Sequence, residues 1–182
     1  MPQLLLAWWR NWATLEGPLD DRAGTGLHLE VHRSILPSGH PFDPIERDVW
    51  QSSRRITVGT TSARVPAPKH LLLHTCIHFA WSHRFFGKIW RTFHDVHAIC
   101  DRYSPDWDEF IDMARATRAA TCCYWTLHLA RTVAGAAVPA RVLAQLEPRM
   151  PRTLHGLVER HYASNLFHAV KACPSATLDA RL

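Results

Sequence analysis

The sequence predicts an α+β fold that is mostly α: a few N-terminal strands followed by a helical bundle. Three observations predict it. Strand-like segments, LHLEVHRSI (27–35), RRITVG (54–59) and SARVPA (62–67), all fall before Pro68. From Pro68 onward apolar residues recur at spacings of three and four, the period of a helix packed on one side. Loops rich in glycine and proline, GPLDDRAGTG (17–26) and LPSGHPFDP (36–44), break up the first part only. Strands first and helices after imply segregated elements rather than alternating βαβ units.

Taken in order, residues 4–15 read as a short helix whose Trp8, Trp9 and Trp12 pack onto the body. The apolar start has no basic n-region and no small-residue cleavage site, so no signal peptide is expected. In 27–35, Leu27, Leu29 and Val31 alternate with His28, Glu30 and His32, the pattern of a half-buried strand. The two segments around Gly59-Thr60-Thr61 form a hairpin. Helices are predicted near 68–82, 88–102, 105–117, 119–134, 139–147 and 150–163, with a loose tail after Asn165. The expected division is a strand region over 1–67, a helical domain over 68–165 and a tail over 166–182.

A chain of 182 residues, 47% of them hydrophobic, can bury a core, and it shows no fixed-period repeat and no low-complexity segment. The net charge is +5, but the basic residues are dispersed and nearly all arginine, Lys69, Lys88 and Lys171 being the exceptions. Dispersed charge speaks to solubility, and nucleic acid is not an expected partner. The five cysteines are odd in number and include no Cys-x-x-Cys pair. They are expected as buried free thiols in a reducing cytoplasm. No stretch approaches the roughly 18 apolar residues of a membrane span.

The histidine-rich stretch HTCIHFAWSHRFFGKIWRTFHDVHAICD (74–101) is the candidate site. On the first helix Leu72, Leu73, Cys76, Ile77 and Ala80 make the apolar stripe, and His74 and His78 share the opposite flank. On the next, Ile89, Phe93, Val96 and Cys100 face the core, while His94, His97 and Asp101 share a second face beside Trp90. His74, His78, His94, His97 and Asp101 are suitable ligands for zinc or another transition metal, which leaves a His/Asp metal-dependent hydrolase as one reading. Packed or surface histidines are the other. Thr75 stands where a His-Glu-x-x-His helix needs its glutamate, and Asp95, beside His94, falls on the side of Arg91 and Arg102.

Several segments resemble the uncharacterised bacterial nucleotidyltransferase family of the DNA polymerase β-like superfamily. The residues that carry the resemblance are Glu30 and His32; Leu72, Leu73, His74 and His78; Trp90 and Asp95; Asp106 and Trp107; and Gly135 and Pro139, over about residues 26–150. The resemblance implies transfer of a nucleotidyl group from a nucleoside triphosphate to an unknown acceptor. It implies two Mg²⁺ ions held by three carboxylates, with Glu30 the third catalytic and metal-binding carboxylate and with His32 and His78 as cofactor-binding positions. The strands would then be the remnant of a nucleotidyltransferase sheet. The Gly-Ser turn and strand-borne Asp-x-Asp pair that supply the rest of that site do not occur before Glu30. Asp20-Asp21 lies in a loop. Asp106-Trp107-Asp108 reads as a helix start, with Ser104 as N-cap and Pro105 in the first helical position. These 182 residues are therefore expected to be catalytically incomplete, either a mis-started fragment or a true short protein. A binding or regulatory module that docks a protein partner, or pairs with a second copy, is the further alternative.

Overall fold

The computed structural model describes residues 19–20, 28–29, 35–36, 41–42, 46–83, 85 and 89–167. The expected helix over 4–15, most of the strand over 27–35 and the tail from 168 onward lie outside them. The fold is α+β and mostly α. It divides into two compact units, Met1–Ala67 and Pro68–Leu182.

In the first unit, β1 (Leu19–Asp20) pairs antiparallel with β2 (His28–Leu29), Leu19 opposite Leu29 and Asp20 opposite His28. Leu19 and Asp20 were expected in a loop. Pairing with a partner nine or ten positions along the chain overrides a local composition rich in Gly, Pro and Asp. A short helix, α1 (Glu46–Gln51), was not anticipated. Its six residues are too few to show a helical period.

After it, β3 (Arg54–Val58) and β4 (Thr61–Val65) form the expected hairpin, in register from Arg54↔Val65 to Val58↔Thr61. The turn is Gly59-Thr60, and Gly59 sits at φ +59, a conformation that costs glycine nothing. The Arg64 guanidinium ties the hairpin to α1. It donates to Ser53 Oγ at 2.7 Å and to the Trp50 carbonyl at 3.2 Å. Among the described residues the strands form two separate two-stranded sheets.

The second unit is helical. α2 (Pro68–Ile77) runs on into a π-helical turn (His78–Ser82), followed by α3 (Ile89–Tyr103), α4 (Trp107–Ala116), α5 (Ala120–Ala134), α6 (Ala140–Leu146) and α7 (Arg152–Phe167). α7 extends past the expected end at 163. The core is built from the apolar stripes. Leu72, Leu73, Cys76 and Ile77 of α2 meet Phe93, Val96, Ile99 and Cys100 of α3 and the buried residues of α5, with Trp125 and Leu127 among them. Ala80, placed in the stripe by the α period, is only half-buried, and Phe79 is buried instead. Phe79 lies edge-on to Phe85 at 5.2 Å and to Phe93 at 5.6 Å.

α5 is central, packing on α2, α3, α4 and α6. Its one buried hydroxyl, Thr126 Oγ1, donates to the Cys76 carbonyl at 3.3 Å, so no donor is stranded in the core. α5 ends at Gly135, φ +65, where the Gly135 and Ala136 amides turn back to the Arg131 and Ala130 carbonyls. This Schellman-type closure needs the left-handed residue. Pro139 then stands at the N-cap of α6. No helix among the described residues is long and apolar enough to cross a membrane.

Candidate functional site

Glu30 and His32, the implied carboxylate and its neighbour, lie outside the described residues. The Asp-x-Asp at 106–108 is a helix start, but its N-cap is Asp106, not Ser104. The Asp106 carboxylate accepts from the Asp108 amide at 3.1 Å and the Glu109 amide at 3.0 Å. Ser104 is displaced to φ +42, in the left-handed region and outside the extended conformation of an N-cap, so Pro105 precedes the cap rather than opening the helix. Asp108 pairs with Arg141 of α6, and Glu109 with Lys69 of α2. These carboxylates hold the helical unit together. Asp106→Ala is expected to cost about 1 kcal/mol of stability in urea unfolding. Asp108→Ala, which loses one exposed ion pair, is expected to cost under about 0.5 kcal/mol. Equal losses would remove the capping role.

The five candidate metal ligands do not gather. Among the described residues no three His, Cys, Asp or Glu side chains are placed so as to hold a metal ion. The reason lies in the packing. α3 turns Phe93, Val96, Ile99 and Cys100 inward, which leaves His94, His97 and Asp101 on the solvent side. His94 is 80% exposed, with Nδ1 3.9 Å from Asp95 Oδ1. That places Asp95 beside its own neighbour as well as on the flank of the two arginines.

What the chain does bring together is a row of three imidazoles along α2 and the π turn. His74 and His78 stack at 5.6 Å with 20° between the rings. His78 meets His83 edge to face at 4.7 Å, and their Nε2 atoms are 3.1 Å apart. The sequence reading named His74 and His78 and missed His83. In an α-helix residues five apart point about 140° away from each other. The π turn, closed by the His83 amide on the His78 carbonyl at 3.2 Å, sets residue 83 one turn above residue 78. Nothing in the α period signals that.

A second polar cluster joins α5 to α7. Tyr124 Oη lies 2.7 Å from His155 Nε2, and His128 Nε2 lies 2.8 Å from Glu159 Oε1. The Tyr124 and His128 rings stack with 6° between them, and Glu147 reaches to within 3.7 Å of His155. Burial first, and then the nearby Glu147 and Glu159 charges, push the Tyr124 phenol up to about 12. It therefore stays protonated and serves as a structural hydroxyl. The i, i+4 spacings of Tyr124 with His128 and of His155 with Glu159 were visible in the sequence. Their apposition was not.

A family model described as an uncharacterised nucleotidyltransferase matches residues 10–135. No curated protein and no solved structure matches the chain.

Proposed function

The chain belongs to the uncharacterised nucleotidyltransferase family, and from that membership we propose that it takes part in nucleotidyl transfer from a nucleoside triphosphate to an acceptor hydroxyl. The observation that carries this reading is the extent of the match, which runs through α2, the π turn, α3 and α4 to Gly135, the cap of α5. The motif residues on that span are mostly scaffold: Leu72 and Leu73 in the core, Asp106 capping α4 and Gly135 closing α5. His78 is the exposed member, and it is the position we assign to the nucleotide side.

In the superfamily it resembles, two Mg²⁺ ions would activate the acceptor hydroxyl and steady the departing pyrophosphate. The described residues do not fit that pair of ions, because Asp106, Asp108 and Glu109 are engaged in a helix cap and ion pairs and no other trio gathers. Glu30 alone supplies one carboxylate. One carboxylate does not hold two divalent ions, so these 182 residues by themselves bind nucleotide without turning it over.

The test is thermal unfolding with ATP, GTP, CTP or UTP, run beside an assay with α-labelled nucleotide and magnesium. At about ten times its dissociation constant a ligand adds roughly 1.4 kcal/mol. At least one nucleotide is then expected to raise the midpoint by roughly 3–6 °C, with no label transferred. A midpoint indifferent to all four would remove the nucleotide reading. Label transfer would remove the incompleteness.

A further inference from the structure

The π turn creates an arrangement that neither the carboxylate reading nor the core requires. His78 Nε2 and His83 Nε2 face each other at 3.1 Å, from rings set at 88°. The Phe79 ring, anchored between Phe85 and Phe93, pins the turn from its inner side. His78 is exposed and His83 half-buried, so the pair opens outward.

We propose that His78 and His83 form an open two-histidine clamp for one divalent ion of the zinc class. Two imidazole nitrogens bound to zinc at 2.0–2.1 Å in tetrahedral geometry sit about 3.3–3.4 Å from each other. The observed separation needs to open by only a few tenths of an ångström. Each ring takes the tautomer with its proton on Nδ1, leaving the Nε2 lone pair for the ion, and the ion replaces the hydrogen bond between the rings. His74 stacks flat on His78 at 5.6 Å. It packs against the ligand ring and does not converge on the same point.

Among the described residues no third His, Cys, Asp or Glu joins the pair. The clamp is therefore an open site, its remaining positions filled by water or by an oxygen of an anionic ligand. Imidazole donors favour zinc, copper or nickel over magnesium, which prefers oxygen. The site is thus chemically distinct from a carboxylate magnesium centre.

The test is calorimetric titration of the full 182-residue protein with Zn²⁺ alone, under reducing conditions and without nucleotide. One ion per chain is expected to bind in the micromolar range, with no comparable binding of Mg²⁺. His83→Gln keeps a hydrogen-bonding side chain in the turn and is expected to weaken Zn²⁺ binding roughly tenfold or more with an unchanged melting curve. His94→Gln, on the outer face of α3, is expected to leave binding as it was. A Co²⁺-loaded sample is expected to show the intense visible bands of a tetrahedral site, lost in the His83 variant. Failure of Zn²⁺ to bind, or equal affinity in His83→Gln, overturns the clamp. Because no nucleotide is present, either result stands apart from the nucleotide-dependent melting test.

Discussion

Trp125→Ala is expected to destabilise the helical unit by roughly 3–5 kcal/mol, the cost of emptying a large buried aromatic site. Trp125 is 2% exposed on the central helix α5. Its indole contacts His155 at 4.8 Å, Tyr124 at 5.0 Å and Tyr162 at 5.4 Å, so it lies under the seam that docks α7. Small domains hold a net stability of about 5–15 kcal/mol. One substitution would therefore remove a large share of it, and α7 would lose its docking surface in the same step. Urea unfolding followed by far-ultraviolet circular dichroism measures the loss. Trp125→Phe, which refills much of the volume, should recover a substantial part. A loss below about 1 kcal/mol for the alanine variant would mean that the cavity collapses freely and that the indole is not a keystone.

The second large effect is alkaline. Burial pushes the Cys100 thiol up to about 11 and, together with the neighbouring Cys123, the Cys122 thiol up to about 12. Cys76 is raised further by burial and by its hydrogen bond to Cys123. Tyr124 goes up to about 12, and burial, followed by nearby Cys122, raises Tyr162. All five are acids that hold their protons more tightly folded than unfolded. The stability they contribute is whole below the unfolded values, about 8.5 for a thiol and about 10 for a phenol. It is lost as pH rises through the folded ones, because across that window the native state binds more protons. The urea midpoint under a phosphine reductant is expected to hold to about pH 8 and then fall steadily toward pH 11. The summed loss is on the order of a few kcal/mol, discounted for the partial exposure of Cys122 and Tyr162. Cys122→Ser should flatten part of that slope. A midpoint that is level from pH 8 to pH 11 would contradict the shifts.

The helical half was legible because its apolar residues obey one period. Leu72, Leu73, Cys76 and Ile77, then Phe93, Val96 and Cys100, fall on stripes that the structure buries. Element ends shifted by a few residues where a cap decides them. Asp106 displaced Ser104 because backbone dihedrals, which composition does not display, put Ser104 in the left-handed region. The hairpin was readable from Gly59 and its flanking strands. α1 was too short to show a period, and β1 owes its existence to pairing with β2.

The candidate site was read only in part. His74 and His78 were found by their four-residue spacing, but His83 joins them through a helix type that shares its composition with the α-helix. The contacts of Tyr124 and His128 on α5 with His155 and Glu159 on α7 span thirty-one positions. A single sequence shows only that each helix has one polar pair.

The π turn also makes chain length itself an encoded quantity. Residues 78–82 carry one position more than an α-turn would need to climb the same height. A chain one residue shorter between Ile77 and His83 would close as an uninterrupted α-helix. The imidazole now at 83 would then follow His78 by four places, above it on the same helical face, and everything after it would be rotated by about 100° against Phe85 and Phe93. A chain one residue longer would push it out of reach of His78. The geometry of the pair is thus written in a count of residues as much as in their identities, and a single-codon insertion or deletion would rewrite it while leaving every side chain the same.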